Sequence, residues 1–264
     1  MIVFSIVTVT YNAEAVLRPT LESVMRQDHL DLEHIIVDGV STDRTLEMVR
    51  EYAKEVETDC PEHRAVKVIS EPDKGIYDAM NKALRMLTGD YVCFLNAGDR
   101  LPSVDTLTKV AATAEGAPDG QTPAVLYGDT DIVDSDGRFL RHRHLSAPDY
   151  LSWRLFKHGM LVCHQAFYAR TEIAQQVRYD TSLRLSADVD WCIRVMKEVE
   201  AKGLLMRKVP HVIANYLEEG NSTRHHRKSL MERFSVMRRH YGLLITIAMH
   251  VSFVPRAIFR KLKR

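Results

Sequence analysis

The sequence predicts an α/β fold in which a mixed, mostly parallel sheet is flanked by helices. Over the first hundred of the 264 residues, stretches rich in β-branched side chains alternate with stretches of helical periodicity. Short polar turns follow the apolar stretches, as they do at the ends of buried parallel strands. A composition of 45% hydrophobic and 27% charged residues is that of a globular protein with a substantial core.

The first half contains four predicted strands separated by three predicted helices. Ser41, Thr42 and Asp43 offer capping side chains for the second of these helices. In chain order, we expect a strand over Ile2–Val9, a helix over 13–27, a strand over His34–Val37, a helix ending near Tyr52, a strand over Ala65–Ser70, a helix over Ile76–Leu87 and a strand ending at Asn96.

The pattern changes after about residue 101, although we expect both halves to share one sheet. Ala124–Tyr127 predicts a short strand, and Asp129–Gly137 predicts a turn before a further strand. Helical periodicity returns around 148–158 and 188–201. We therefore divide the chain into 1–100, 101–223 (the second half of the same domain) and a tail over 224–264.

Charge is distributed unevenly along the chain. From Arg224 to Arg264 there are eleven Lys or Arg residues and one acid, Glu232. The first 223 residues hold 25 basic and 34 acidic residues, a net charge of −9. A basic tail on an acidic body favours contact with an anionic partner.

Cysteine usage indicates a reducing compartment. The four cysteines contain no CxxC pair, and Cys93 and Cys192 lie in apolar segments, which predicts buried thiols rather than disulfides or a zinc site. The sequence begins with a strand-like run and lacks the basic region and cleavage site of a secretory leader. These features favour the cytoplasm.

Two common phosphate-binding motifs are absent from the sequence. There is no GxGxxG after the first strand and no GxxxxGK[ST], which weighs against a dinucleotide oxidoreductase and a P-loop NTPase. Polar residues instead follow the four predicted strands, where an α/β sheet binds its ligands. These strand-end residues are Thr10, Tyr11, Asp38, Asp73, Lys74, Asn96 and Asp99.

The chemistry of these side chains suits a nucleotide ligand. The Tyr11 ring can stack on a base, and Asp38 can accept a base N–H. Asp73 or Lys74 can reach ribose or phosphate. Asp99 suits a hard divalent cation whose remaining ligands come from a diphosphate. The alternative for each residue is a turn former that bonds its own backbone.

Four segments of the first hundred residues resemble the inverting glycosyltransferases of family 2, which have the GT-A fold. By that resemblance Asp99 corresponds to the metal-binding position of the family's DxD-like motif, with Ala97 in place of the motif's second carboxylate. The resemblance implies Mn²⁺ or Mg²⁺ as the cofactor, and it places Tyr11 and Asp38 against the nucleotide base. The matching segments, in the family's order, are Ser5–Asn12, Ile36–Thr45, Glu71–Asn81 and Leu95–Asp99.

An inverting transfer by direct displacement needs a general base for the acceptor hydroxyl. Ser186–Trp191 offers two carboxylates near the start of a helical segment, where the family has an acidic residue. Asp188 matches that position best, and Asp190 is the second candidate. The alternative is that Asp188 only caps the helix. A literal Asp-x-Asp also occurs at 129–131, and we interpret it as a polar turn rather than a metal site.

Two further segments resemble parts of this family. We interpret His164, which lies in a segment near the acceptor side, as structural, since a lone His is more often structural than catalytic. Glu218–Arg224 resembles the flexible loop near the donor diphosphate, with Glu219 where many relatives have glycine. This loop adds Ser222 and Arg224 to the predicted donor-binding residues, although a solvated basic face accounts equally well for Arg224.

The tail combines an apolar run with cations. Leu243–Val254 is apolar apart from Thr246, His250 and Ser252, and Lys and Arg residues follow after Pro255. The run is too short to span a membrane. It predicts an interfacial helix on an anionic membrane surface, and the alternative is a helix docked on the catalytic body. No nucleic-acid-binding motif accompanies the basic charge, so we expect no nucleic-acid partner.

The residues and the resemblance together predict a metal-dependent, hexosyltransferase-like enzyme. It would bind a nucleotide diphosphate sugar with residues 1–100 and a glycan or lipid-linked glycan acceptor with 101–223. The expected setting is bacterial surface-polysaccharide synthesis, with the protein peripheral at the inner face of the cell membrane. The rival is a non-catalytic protein of the same fold that binds nucleotide sugars or docks to a membrane. Acids at both Asp99 and Asp188 argue against this rival, because a binding protein needs no general base.

Overall fold

The protein is described by a computed structural model that covers residues 2–59, 63–116, 120–218 and 226–251. Its strands are β1 (Phe4–Thr10), β2 (Leu32–Asp38), β3 (Arg64–Ser70), β4 (Tyr91–Phe94), β5 (Val125–Val133), β6 (Phe139–His142), β7 (Phe167–Arg170) and β8 (Met206–Leu217). Its helices are α1 (Leu17–Met25), α2 (Thr45–Asp59), α3 (Ile76–Leu84), α4 (Thr106–Glu115), α5 (Thr171–Ala174), α6 (Ala187–Ala201) and α7 (His226–Tyr241), with a further helical segment over 243–251.

One mixed sheet runs through both halves of the chain. Its strand order is β3-β2-β1-β4-β7-β5-β6, and β8 pairs with β5. The first four strands in this order are parallel to one another, whereas β7 is antiparallel to both of its neighbours. Every residue of β1, β2 and β4 is buried, as is typical of strands covered on both faces. The predicted mixed, mostly parallel sheet is confirmed.

The strand order reverses beside β1. The chain moves outward from β1 to β3 and then returns to the other side of β1 as β4. Leu95, just after β4, donates its N–H to the Val7 carbonyl and accepts the Thr8 hydroxyl, both at 2.8 Å. Ligands of α/β sheets bind beyond the carboxyl ends of the strands at such a reversal. The loops that follow β1 and β4, which carry Tyr11 and Asp99, therefore occupy the favoured place for a site.

The main hydrophobic core includes residues from both halves of the chain. Phe94 of β4 meets Trp191 of α6 with ring centroids 5.6 Å apart, and Tyr179 stacks on Trp191 at 5.0 Å. Aromatic pairs of this kind add to the stabilisation that burial of the large rings already provides. A smaller cluster packs Leu17 of α1 and Val49 of α2 together. The core thus holds α6 against the parallel strands and fixes the position of its first turn.

The structure extends β5 well beyond the short strand expected at Ala124–Tyr127. Asp129, Thr130 and Asp131 lie inside β5, so the prediction of a polar turn there was wrong. β8 pairs along this stretch and β6 pairs with its end, so ladder hydrogen bonds take the place of a turn's local bonds. The turn follows at 135–136.

Four elements were missed by sequence periodicity, and one was given the wrong form. α4, β7, α5 and β8 were not predicted, and the helix expected around 148–158 is a 3₁₀ helix at Trp153–His158. β8 contains Pro210, and its pairing with β5 shifts in register between Tyr127 and Thr130. Proline is tolerated in strands at such irregularities, which also obscure the usual alternation of apolar residues.

The described part of the tail is helical, as predicted. α7 ends at Tyr241, Gly242 adopts a positive φ of 82°, and helical structure resumes over 243–251. None of the helices in the described ranges combines the length and the apolar character needed to cross a membrane.

Candidate active site at the strand ends

The loops after β1 and β2 are bonded to each other. Asn12 adopts a positive φ of 48°, a conformation that Asn tolerates better than most residues. Its side-chain Oδ1 accepts the Thr42 backbone N–H at 2.9 Å, and its own N–H donates to the Ser41 hydroxyl at 2.9 Å. Ala13 N–H donates in turn to the Thr45 hydroxyl at 2.8 Å. These reciprocal bonds make one rigid rim from two strand ends.

Asp38, at the end of β2, accepts hydrogen bonds that hold this rim together. Its buried carboxylate accepts the hydroxyls of Thr10, Ser41 and Ser70 and the Ser41 backbone N–H, at 2.5–3.2 Å. Burial acts to raise the pKa of Asp38, but these four donors lower it below the ordinary value. Asp38 is therefore ionised, and its carboxylate already accepts four hydrogen bonds. The N–H of a nucleotide base could bind it only by replacing one of these donors.

Tyr11 and Asp73 approach each other across Gly39. A side chain at Gly39 would have its Cβ 2.5 Å from Asp73 Oδ2 and 3.3 Å from the Tyr11 ring, so any larger residue would displace the Asp73 carboxylate. Two-thirds of Tyr11 is exposed, which leaves its ring available for stacking. Lys74 is exposed beside Asp73. The structure therefore gathers the predicted base and ribose contacts at one edge.

Asp99 lies in the turn after β4 and is almost completely buried. Its Oδ2 accepts Nε2–H of Gln165 at 2.7 Å, and its Oδ1 accepts the Leu217 backbone N–H at 3.1 Å. The turn depends on Gly98, whose φ is +99° and whose N–H donates to the Thr20 hydroxyl. Burial raises the pKa of Asp99 to about 6, even though both hydrogen bonds and the nearby His164 oppose this shift.

The surroundings of Asp99 fit a divalent cation. Within the described residues no Lys or Arg forms an ion pair with this buried carboxylate, and Asn96 Oδ1 is buried without a hydrogen-bond partner. A carboxylate and an amide oxygen are ligands that Mg²⁺ and Mn²⁺ accept. No group of three His, Cys, Asp or Glu side chains in the described ranges could hold a metal ion. The chain thus offers a partial ligand set, of the kind that a substrate diphosphate completes.

Asp188 joins the same site from the second half of the chain. His164 lies between the two halves, with Nε2 at 3.1 Å from Asn96 Nδ2 and Nδ1 at 3.3 Å from Asp188 Oδ2. The Tyr77 hydroxyl donates to Asp188 Oδ1 at 3.2 Å. A hydrogen-bonded chain therefore runs from the turn of Asp99 to the carboxylate of Asp188.

Asp188 is charged and still accessible. Burial acts to raise its pKa, but the hydrogen bond and charge of His164, the charge of Arg233 and the Val189 N–H lower it below the ordinary value. About 18% of its side chain remains exposed. An ionised carboxylate with an open side has the properties of a general base.

Asp190 faces the opposite way and meets α7. It is completely buried, and its carboxylate is 2.7 Å from Arg194 Nε, 2.8 Å from His240 Nε2 and 3.4 Å from Arg239 Nη1. Although burial alone would raise its pKa, these cations and donors lower it. Asp190 is bound in an ion cluster that anchors α6 to α7, away from the Asp188 carboxylate.

The remaining sequence predictions fall into three groups. Asp129 accepts the Ala147 N–H at 2.7 Å, and Asp131 lies 2.7 Å from the His142 Nδ1 atom. Within the described residues, neither belongs to a group that could hold a metal ion. Ser222 and Arg224 lie outside the described residues. Thr10 supports Asp38 from a buried position, so its place in the site is indirect.

Sequence reasoning missed three members of the site. His164, which we interpreted as structural, bridges the two halves, and Gln165 bonds Asp99 directly. Tyr77 contacts Asp188 from the start of α3. The sequence signal for two of them was the adjacent His and Gln after an apolar segment. Polar side chains that follow such a segment are often buried, and buried polar side chains need hydrogen-bond partners.

Comparison with known proteins identifies related sequences. Residues 5–177 match the family model for glycosyl transferase family 2. A PGL/p-HBAD biosynthesis glycosyltransferase of Mycobacterium tuberculosis is 35% identical over 219 residues, covering 82% of this chain and 77% of the relative. The amylovoran biosynthesis glycosyltransferase AmsB of Erwinia amylovora is 26% identical, covering 81% and 69%.

Solved structures share the fold at low sequence identity. TarS 1–349 of S. aureus, in complex with UDP-GlcNAc, has a TM-score of 0.67 and 20% identity over 89% of this chain. This chain spans only 64% of that structure's length. The mannosyltransferase PcManGT from Pyrobaculum calidifontis, in complex with GDP-Man and Mn²⁺, has a TM-score of 0.59 and 18% identity, covering 98% and 79%.

The fold is therefore of the GT-A type that the resemblance implied. The family model spans β1 through β7, including the strand ends that carry Tyr11, Asp38 and Asp99, and relatives above 30% identity cover most of the chain. On these grounds the chain belongs to glycosyl transferase family 2.

Proposed function

We propose that this glycosyltransferase transfers a sugar from a nucleotide diphosphate sugar to an acceptor hydroxyl with inversion of configuration. The observation that carries the proposal is the hydrogen-bonded chain from Asn96 through His164 to Asp188. It connects the turn of Asp99, on the donor side, to an ionised and accessible carboxylate on the acceptor side. A protein that only bound nucleotide sugars would have no need for that carboxylate.

Asp188 acts as the general base. It accepts the proton of the acceptor hydroxyl while that oxygen bonds to the anomeric carbon of the sugar. The bond from the anomeric carbon to the diphosphate breaks on the opposite face, and its electron pair leaves with the nucleoside diphosphate, so the configuration inverts. His164 and Tyr77 hold the carboxylate in place from two sides.

The donor binds along the strand ends of the first half. Tyr11 stacks on the base. Asp73 and Lys74 contact ribose or phosphate. Asp38 holds the loops after β1 and β2 together and faces the base. Asp99, with Asn96 Oδ1 as a second oxygen ligand, would hold Mn²⁺ or Mg²⁺. When bound, this cation supplies positive charge for the leaving diphosphate.

The names of similar proteins support both the donor class and the pathway. The structural neighbours TarS and PcManGT were solved with UDP-GlcNAc and with GDP-Man and Mn²⁺. The sequence relatives act in PGL/p-HBAD and amylovoran biosynthesis. We infer a role in bacterial cell-surface polysaccharide or glycolipid synthesis, with a glycan or lipid-linked glycan as acceptor.

Thermal unfolding with UDP, GDP, dTDP and CDP, each with and without Mn²⁺, tests the donor site. A ligand that binds only the folded state at about 100 times its Kd stabilises it by about 2.7 kcal/mol. We expect one base to raise the midpoint in a metal-dependent way. The corresponding nucleotide sugar should then be hydrolysed slowly.

Three variants make this test specific, each compared with its own nucleotide-free midpoint. Asp99→Asn should lose the metal-dependent shift, while Asp188→Asn should keep the shift and lose hydrolysis. Asp136→Asn, an exposed carboxylate in the β5–β6 turn, is the control and should behave like the wild type. A wild-type protein that responds to no nucleotide, or that responds equally without metal, would contradict the proposed donor site.

A further inference from the structure

In the helical segment 243–251, polar side chains face the protein and apolar side chains face solvent, which is the reverse of an ordinary surface helix. Its buried side chain is polar: Thr246 is fully buried, and its hydroxyl donates to the Gly242 carbonyl at 2.7 Å. His250 is half-buried and stacks edge-on against Phe234 of α7, with ring centroids 5.0 Å apart. The segment therefore turns its polar residues toward the protein.

The apolar side chains of the same segment face outward. Leu244 is 84% exposed and Val251 is 65% exposed. A surface helix of a water-soluble protein places its apolar stripe on the core and its polar face in solvent. The large apolar residues of the segment that are substantially exposed are Leu243, Leu244, Ile245, Ile247 and Val251.

Gly242 sets this orientation. Its φ of +82° lies in the left-handed region that glycine adopts without strain, and its N–H donates to the Arg238 carbonyl as a helix C-terminal cap. The chain therefore ends α7 and starts again in a new direction, with the apolar residues away from the body. The sequence alternative of a helix whose apolar face docks on the catalytic body does not describe residues 243–251.

The charge of the tail sequence indicates the partner of this apolar face. From Arg233 to the end of the sequence there are eight Lys or Arg residues and no Asp or Glu. Each cation near an anionic lipid surface adds about 1 kcal/mol of attraction. A second copy of this chain is a poor partner for the same face, because pairing would bring two such basic segments together.

We propose that the apolar face of residues 243–251 docks on an anionic lipid surface. Leu243, Leu244, Ile247 and Val251 enter the interface between headgroups and acyl chains, and the basic charge of the tail sequence favours an anionic surface. The segment lies on the membrane rather than across it. This binding does not depend on the donor site, so it can succeed or fail independently of the proposed reaction.

Sedimentation of the full chain with lipid vesicles tests the proposal. Vesicles of phosphatidylcholine with phosphatidylglycerol should bind the protein, vesicles of phosphatidylcholine alone should bind it much less, and added salt should weaken binding. Leu244→Ser and Ile247→Ser should each weaken binding about tenfold, since each removes an apolar side chain from the interface. Both side chains are exposed, so the fold should survive.

A matched control and a charge variant sharpen the test. Val104→Ser removes an apolar side chain that is 56% exposed in the loop before α4, and it should leave vesicle binding unchanged. Replacing Arg260, Lys261, Lys263 and Arg264 with Gln should reduce binding to phosphatidylglycerol vesicles and weaken its salt dependence, since four of the eight cations remain.

Three outcomes would overturn the proposal. Equal binding to both kinds of vesicle would show that the cations play no part. Absence of vesicle binding with concentration-dependent self-association, measured by light scattering, would make a second copy the occupant of the face. Absence of vesicle binding by a monomer would mean that another part of the chain covers it.

Discussion

At the scale of single residues, Asp188 and Asp190 have separate environments although they are two positions apart. Residues i and i+2 of an α-helix project about 200° apart, so the two carboxylates point to different neighbours. Asp188 meets His164 and Tyr77, whereas Asp190 is enclosed by cations from α6 and α7. The first is the residue we propose as the general base, and the second joins α6 to α7.

Matched substitutions should separate these two functions. Asp188→Asn should lower turnover by about 10²–10⁴-fold with little change in nucleotide binding, because it removes a general base. Asp190→Asn should lower the free energy of unfolding by up to about 3 kcal/mol while retaining turnover below its melting midpoint, because it removes the buried negative charge that Arg194, Arg239 and His240 contact. Kinetics with the donor found in the nucleotide screen and urea unfolding measure the two effects. If Asp190→Asn were stable and inactive, the assignment would be reversed.

Burial makes Asp99 a destabilising residue in the absence of metal. The pKa of Asp99 is about 6 in the folded state, against about 3.9 for an unperturbed Asp, so folding favours its protonated form. Its contribution to stability is therefore fully present below about pH 4 and is lost as the pH rises through about 6. At neutral pH the difference corresponds to at most about 3 kcal/mol.

Asp99→Asn should therefore raise the melting midpoint at neutral pH in the presence of EDTA. The advantage should shrink as the pH falls to about 4, where wild-type Asp99 is itself neutral. Asp38→Asn is the control of opposite sign: the pKa of Asp38 is lowered, so this variant should be less stable at neutral pH and should approach the wild type in acid. Thermal scans across pH measure both trends, and a neutral-pH loss of stability in Asp99→Asn would contradict the buried, cation-free environment.

At the scale of elements, α7 holds the segment that leads into α6. The Glu232 carboxylate accepts the backbone N–H groups of Arg184 and Leu185 at 2.7–3.1 Å. The Arg184 side chain in turn donates to the Lys74 carbonyl at 2.8 Å. α7 lies outside the residues matched by the family model, yet it bonds the segment just before the helix that carries Asp188, and through Arg184 that segment reaches the Lys74 carbonyl.

Glu232→Ala should disturb the position of Asp188 without touching substrate. Two N–H groups would lose their acceptor, which costs about 1–3 kcal/mol for each group that stays unsatisfied. We expect a lower melting midpoint and a reduced kcat, with nucleotide binding retained and partial recovery in Glu232→Gln. Glu200→Ala, which removes an exposed ion pair with Arg154 on the same α6, is the control and should change stability by less than about 1 kcal/mol. Unchanged kcat in Glu232→Ala would show that α7 does not position the base.

At the scale of the whole molecule, one sheet carries two sets of side chains to the same edge. The parallel strands β1, β2, β3 and β4 bring the donor-side residues together, and β7 continues the sheet from β4 into the second half. The 3₁₀ helix at His164–Ala166, just before β7, then places His164 and Gln165 against Asn96 and Asp99. The site therefore forms only when both halves fold on their common core.

The same topology relates the catalytic body to the proposed lipid-binding face. α7 is bonded to the segment before Asp188 at one end, and residues 243–251 follow directly after its other end. Docking of those residues would hold the acceptor side of the site close to a lipid surface. A membrane-bound acceptor would then meet Asp188 without leaving the bilayer.

Local sequence was sufficient to predict much of the fold of the first half. The strands and helices of the first hundred residues follow the predicted order, because strand–helix alternation and turn residues are encoded in short stretches. Tyr11, Asp38, Asp73, Asn96 and Asp99 lie at the ends of consecutive strands, where parallel pairing brings them together. Prediction was weaker where pairing is irregular, as in β5 and β8.

Only the tertiary structure decided the ionisation and the hydrogen-bond partners of the carboxylates. Burial raises the pKa of Asp99, and the two hydrogen-bond donors that oppose this rise, Gln165 and Leu217, lie 66 and 118 residues away in sequence. His164 becomes a bridge because β7 pairs with β4, and Asp190 becomes structural because α7 returns to cover it. The sequence by itself determined which side chains are present at the strand ends and in what order. Their ionisation and partners depend on long-range packing, since burial and charge are properties of the folded environment rather than of the local chain.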